Sequence, residues 1–194
     1  MRQKDEQKEL LLKQKAIEMV VAEGLEGFGI NKLAKAAKIS PGTIYIYYKN
    51  KDDFMYKLSM ELGFRILDSS LENFNPNMHF DEGLRLQWKN RYNYYKKFPL
   101  EVQFVEKVRY SPIYNTITNS LNDQYGNLLG NWINLSIKRK ELFFVSFEIY
   151  WSLAFAPLYQ LLKFDEQKES SKAFVLNQEV INTALNQVLK GLKP

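Results

Sequence analysis

The chain has 194 residues, 45 % of them hydrophobic and 14 % aromatic, enough to bury a sizeable core in one domain or two. It has no cysteine and a single histidine, His79, which excludes disulfides and thiolate chemistry and argues against a zinc site or a histidine-dependent triad. The formal net charge is +5, and most of it sits early: residues 1–51 carry 10 basic and 6 acidic side chains, the remaining 143 carry 17 and 16.

The opening stretch, MRQKDEQKELLLKQK, is too charged for a secretory signal and too acidic for a transit peptide, so a cytoplasmic location is expected. A first helix is predicted over residues 5–23, with Leu10, Ile17 and Val21 on one face and a stop at Gly24; Arg2 and Lys4 ahead of it could reach a DNA backbone. GLEGFG (24–29) lacks the preceding strand and the spacing of a nucleotide loop, and reads as a turn with Phe28 reaching back into a small core. Next, Ile30, Leu33, Ala34 and Ala37 fall at i, i+3, i+4 and i+7, one stripe of a short amphipathic helix that leaves Lys32, Lys35 and Lys38 outside. Gly29 is its N-cap. Ser40 before Pro41 is a second cap followed by a proline at the first helical position, where the missing N–H costs nothing. The link of about three residues between the helices has the length of a helix-turn-helix. In the second helix Ile44 points inward and Gly42, Thr43 and Tyr45 outward, a surface that can approach a groove closely and touch thymine methyls and phosphates. Residues 27–51 contain five lysines and no acid, a charge that would attract a polyanion. By composition alone, a solvated lysine face would account for them equally well.

The segment SPGTIYIYYKNKDDF resembles the signature of TetR-family transcriptional regulators, approximately Ser-x-Gly-Thr-Leu-Tyr-x-Tyr/His-Phe-x-x-Lys-x-x-Leu. Ser40, Gly42, Thr43, Tyr45, Tyr47 and Lys51 match in register, and Ile44, Tyr48 and Phe54 are conservative replacements. The resemblance spans roughly residues 8–60. It departs at Gly29, where a small hydroxyl cap is usual, and at Lys38, where a turn glycine is usual and a left-handed backbone would be strained. It implies that Thr43, Tyr45 and Tyr47 lie on a recognition helix and that Lys51 meets a phosphate at the start of the next helix. There Asn50 is a good N-cap, so the helix terminus favours the same anion. Lys38, Ser40, Gly42 and Lys49 complete the expected DNA-binding set. Tyr48, at a Phe position, is expected in the core.

Downstream, helices are predicted over 50–73 (Phe54, Leu58, Leu62, Leu71), ended by Asn75-Pro76-Asn77, and then over 81–97, 100–110 and 111–139. Gly126 and Gly130, one turn apart in the last of these, would allow close packing or leave room for a ligand. Residues 142–162 contain one charge, Glu148, in a run long enough to span a membrane. Glu148, Pro157 and Gln160, with no companion span, favour a buried soluble helix with a kink at Pro157, where the Leu153 carbonyl loses its partner. A final helix is predicted over 171–190. With no strand pattern or repeat, the fold class is all-α: a three-helix helix-turn-helix head, residues 1–50, followed by a helical ligand-binding and dimerisation body, residues 51–194.

The resemblance implies a homodimer formed by the last two long helices, about 141–163 and 171–190, and the two-sided apolar run independently asks for a partner surface. Trp88, Tyr92, Phe104, Tyr125, Trp132, Phe147, Trp151 and Phe155 either form core or line a pocket for an apolar or cationic ligand. Glu148, in an apolar helix, must be paired, protonated or functional. There is no recognisable nucleophile, metal cluster or phosphate loop, so neither an enzyme nor a cofactor is expected. The chain is therefore expected to bind double-stranded DNA as a homodimeric repressor released from a palindromic operator by a small molecule. The alternative is a helix-turn-helix dimer whose body binds a protein partner.

Overall fold

The structure is a computed structural model that describes the backbone of residues 2–166 and 174–194 and side chains from residue 6. The side chains of Arg2 and Lys4, and the expected start of the last helix at 171, lie outside the described residues. Among the described residues there are ten α-helices and no strand: α1 (Arg2–Glu23), α2 (Ile30–Ala37), α3 (Pro41–Tyr47), α4 (Lys51–Ser70), α5 (Phe80–Lys97), α6 (Pro99–Val108), α7 (Ile113–Lys138), α8 (Phe147–Ala154), α9 (Ala156–Glu166) and α10 (Gln178–Leu192). They form two compact units, residues 1–68 with 94–124 and residues 69–93 with 125–194.

The first unit is built on α1, which packs against both α2 and α6. Its core joins Leu12, Ala16 and Val20 of α1 to Leu33 and Ala37 of α2, Ile44 of α3, Phe54 and Leu58 of α4, and Phe104 and Val108 of α6. The predicted stripe of α1 holds in part: Ile17 is buried and Val21 packs partly buried against the core, but Leu10 is 63 % exposed, and Leu12, Ala16 and Val20 face inward instead. Both stripes are apolar at helical spacing, and the position of α2 and α6 selects between them. Phe28 stacks on Phe54 at 5.5 Å, closing the turn after Gly24, whose φ of +78° is the left-handed conformation a helix-ending glycine supplies. Lys38 ends α2 in the same region, φ 56° and ψ 41°, with its N–H bonded to Ala34 and Lys35 carbonyls. A β-carbon there is strained, so Lys38→Gly should stabilise the fold by about 1 kcal/mol. A urea unfolding midpoint that fell instead would show that the Lys38 side chain contributes more than its backbone costs.

In the second unit Trp88 and Leu84 of α5, Trp132 of α7, Phe155, Leu158 and Leu162, and Ile181 and Leu185 of α10 are buried. Trp132 stacks on Phe80 (5.2 Å, 20°) and meets Phe74 edge-on. Its indole also crosses Gly83, where an added Cβ would come within 2.6 Å of the ring, so this helix–helix approach requires glycine. Gly130, in contrast, has nothing within 4 Å of an added Cβ, so close packing in this chain does not explain it. The predicted single kinked helix over 142–162 is two helices. Phe155 breaks it, and α9 restarts with Pro157 in its first turn, where the missing N–H is harmless. Residues 142–146 are not helical. Phe143 instead donates its N–H to the Leu192 carbonyl (3.0 Å), and Ser146 caps α8 by accepting the Ile149 N–H. No described helix is long and apolar enough to cross a membrane.

Candidate nucleic-acid interface

The α2–α3 pair is set by local bonding. Ser40 Oγ accepts the Thr43 N–H at 3.3 Å and lies 3.0 Å from the Thr43 hydroxyl, while Pro41 occupies the first turn of α3. Ile44 is fully buried and anchors α3 in the core, which turns the opposite face of a seven-residue helix to solvent. On that face Pro41 and Gly42 are exposed, Tyr45 is 53 % exposed and Ile46 76 % exposed; Thr43 and Tyr47 are half-buried. Ile46 was not among the predicted contacts. The signal was there, because two residues at 100° each place it opposite Ile44. With Tyr45 beside it, Ile46 makes an exposed apolar surface at the end of the helix.

Gly42 is a glycine that the chain itself does not need. An added Cβ would meet only Ser40 Oγ, at 3.8 Å, and the backbone is ordinary helix. Tyr48 is buried as predicted, donating to Glu9 Oε1 (3.3 Å) and tilted against the Phe54 ring at 4.4 Å; burial first, then the Glu9 charge, pushes its phenol well above the usual range. The start of α4 carries a reciprocal cap: Asn50 Oδ1 accepts the Asp53 N–H (2.8 Å) and Asp53 Oδ2 accepts the Lys49 N–H (2.9 Å). The Lys49 N–H, and next Lys57, hold the Asp53 carboxyl below the usual carboxylate range. Lys51 stands in the first turn of α4 with its ammonium 6.0 Å from the Phe28 ring centroid. Lys32 pairs with Glu23, whereas the side chains of Lys35, Lys38 and Lys49 hold no bond or ion pair among the described residues.

From this surface a continuous series of polar contacts runs through the first unit. Tyr48 bonds Glu9; Lys13 bridges Glu9 (2.8 Å) and Glu61 (2.7 Å); Arg65 bridges Glu61 (2.6 Å) and Glu101 (2.7 Å); Tyr94 donates to Glu101. Burial works against the Lys13 ammonium, but its bonds to Glu61 and Glu9 outweigh it and raise the pKa. The end of α3 is thereby connected to α6 through α1 and α4.

The predicted ligand residues do not form one cluster. Phe104 is buried in the core of the first unit, beside Leu12 and Phe54. Trp88, Trp132, Tyr125 and Phe155 are buried in the second unit, where Tyr92 and Trp151 are half-buried and Trp151 stacks on Tyr159 at 6.0 Å. Phe147 is 68 % exposed, and Glu148 is exposed in the first turn of α8, its carboxyl lowered by its own N–H and then by Ser146. Sequence reasoning passed over Gln87, Arg91 and Tyr159 in the second unit. Arg91 lies under Phe155, its guanidinium 4.4 Å from the ring, and donates to the Tyr159 hydroxyl at 2.9 Å.

Residues 14–56 match the family model described as bacterial regulatory proteins, tetR family. An uncharacterized HTH-type transcriptional regulator of Haemophilus influenzae is 26 % identical over 105 residues, 54 % of this chain and 56 % of that protein. The fatty acid metabolism regulator protein of Bacillus subtilis is 39 % identical over 46 residues, 24 % of either chain. The matched stretches thus span about half of the one relative and a quarter of the other. Over the full fold, a TetR family transcription regulator from Marinobacter aquaeolei superposes with a TM-score of 0.87 at 25 % identity, covering 100 % of this chain and 99 % of that one. A transcriptional regulator FadR from Bacillus subtilis in complex with stearoyl-CoA gives 0.71 at 19 % identity, covering 94 % and 98 %.

Proposed function

We propose that this chain is a DNA-binding transcriptional regulator of the TetR family and not an enzyme: a cytoplasmic homodimeric repressor released from a palindromic operator by a small molecule. Residues 1–50 act as the reading head and 51–194 as the sensing and dimerising body. The observation that carries the DNA face is the solvent side of α3: a glycine not needed for packing, flanked by exposed Tyr45 and Ile46, with Lys38, Lys49 and Lys51 around it. Tyr45 and Ile46 touch base edges, apolar atoms against thymine methyls, while the lysines and the α4 terminus hold phosphates.

Dimerisation is supported by unpartnered apolar surface. Phe143, Phe144, Phe147, Ile149 and Leu153 are all exposed in and before α8, where a single soluble chain would keep few such side chains together. A second copy covers them and holds two α3 helices one helical turn of DNA apart, about 34–36 Å. Ligand control is supported by the polar series from α6 to Tyr48, because a displacement of α6 that breaks the Arg65–Glu101 pair also reaches the end of α3. The ligand acts by population: it favours a dimer whose heads no longer match the half-site spacing.

The test is fluorescence anisotropy on DNA from upstream of its own gene beside scrambled DNA, across a salt series. Preference for the first, at two chains per site, supports the reading; equal weak binding to both, also after refolding without ligand, overturns it. In the same assay Lys51→Ala should weaken binding to both DNAs and flatten the salt slope by about one unit, since one phosphate contact is lost. An unchanged slope would assign Lys51 to its contact with Phe28.

A further inference from the structure

Among the described residues of the second unit, three buried polar atoms have no hydrogen-bond partner: Gln87 Nε2, Arg91 Nε and Trp132 Nε1. Gln87 is 2 % exposed and Trp132 1 %. Buried polar groups in folded proteins are almost always satisfied, so three together call for a physical reason. They share one line. Gln87 and Arg91 are one turn apart on α5, and Gly83, one turn before Gln87, lies under the Trp132 indole, whose Nε1 would be 3.0 Å from a Cβ there. From Gly83 to Arg91 the line is about 12 Å long.

On the same helix the neighbouring indole of Trp88 donates to the Ala154 carbonyl at 2.7 Å, so the helix can satisfy such a group where partners exist. Arg91 and Trp132 can only donate, and the Gln87 amide can turn either end outward. Arg91 makes its bond to a neutral phenol, Tyr159, and pairs with no carboxylate among the described residues. A half-buried guanidinium under Phe155 without a counterion, beside two further donors, asks for an acceptor of negative charge. A cationic ligand would face Arg91, and a wholly apolar one would leave all three donors unpaired.

We propose that this α5 line is the seat of the effector's head group, and that the effector is an apolar molecule ending in a carboxylate; this rests on the ligand-controlled reading above. One guanidinium with two neutral donors balances a single negative charge, and the bidentate geometry of arginine suits the carboxylate. Ring contacts lead from Trp132 through Phe80 and Tyr150 to Phe155, which supplies apolar surface for the body of the ligand. A ligand seated on the line displaces part of this series, and Trp132 reports it.

The experiment is a tryptophan-fluorescence titration of the full-length protein with decanoate, decanol and decylamine, which share a chain and differ in head group. Decanoate should bind saturably and at least tenfold more tightly than either other probe. Arg91→Met should weaken decanoate at least tenfold and leave decanol unchanged, with Arg91→Lys between. Should Arg91→Met fail to fold, Gln87→Leu replaces it and should weaken decanoate severalfold. Decanol or decylamine binding as well as decanoate, no saturable binding of any probe, or a folded Arg91→Met that binds decanoate normally would each overturn the proposal. The titration uses no DNA, so it stands apart from the repressor reading: decanoate that binds but does not release operator DNA defeats ligand control while leaving the site intact.

Discussion

Replacing Gly42 with leucine should leave the chain folded and abolish its preference for operator DNA. An added Cβ meets nothing closer than Ser40 Oγ at 3.8 Å, and the residue is in ordinary helix, so the fold tolerates a side chain. Glycine in a helix costs up to about 1 kcal/mol against a helix former, and the variant should melt at the same temperature or slightly higher. The side chain grows into the space between Tyr45 and Ile46, the most exposed part of α3, and lifts both from the base edges. Each lost readout contact is worth about 1–3 kcal/mol, so losing two lowers specific affinity by about 30-fold or more, while salt-sensitive non-specific binding survives. Gly42→Ala should fall between. Operator binding by Gly42→Leu equal to that of the unaltered chain would remove α3 from the groove; a clear loss of melting temperature would assign the glycine to folding.

The Phe144→Asp, Phe147→Asp double variant is expected to sediment as a monomer and to lose operator binding altogether. Both side chains are largely in water in the single chain, 84 % and 68 % exposed, so the substitutions remove little packing within it. In a dimer each covers an apolar area worth about 1.5–3 kcal/mol, and two carboxylates in its place add desolvation cost on both sides of a symmetric interface. A change of that size moves a dimer of ordinary affinity past micromolar dissociation. Operator loss follows because one head makes half the contacts and nothing sets the spacing of the second. A double variant that remained dimeric at micromolar concentration would free this face for a protein partner, the alternative role for the body.

Much of the structure from α2 to the start of α4 was legible in the residues because its determinants are local. The Ser40–Thr43 cap, the Asn50–Asp53 cap, the apolar stripe of α2 and the left-handed Lys38 each involve partners within a few positions, and hydrogen bonding and helical period act at that range. The all-helical class followed from the same period repeated along the chain. Local chemistry also held the Ser146 cap and the restart at Pro157, but the unbroken apolar run over 142–162 masked them. An apolar run signals burial and does not distinguish one helix from two.

Burial partners were decided only in three dimensions. Leu10 and Leu12 are equally apolar, yet only Leu12 is covered; Phe104 and Trp132 looked alike as pocket aromatics, and they belong to different units. The hydrophobic effect is non-directional, so a stripe of leucines says that a face is buried and not against what. Gly83 acquires its meaning from an indole 49 positions away, and Arg91 from a ring and a phenol 64 and 68 positions away. The amino-acid sequence by itself determined the helices and caps of residues 30–53 and the face of α3 that is turned to solvent. Tertiary structure alone decided which polar groups are buried without partners, because satisfaction is a property of everything that surrounds an atom.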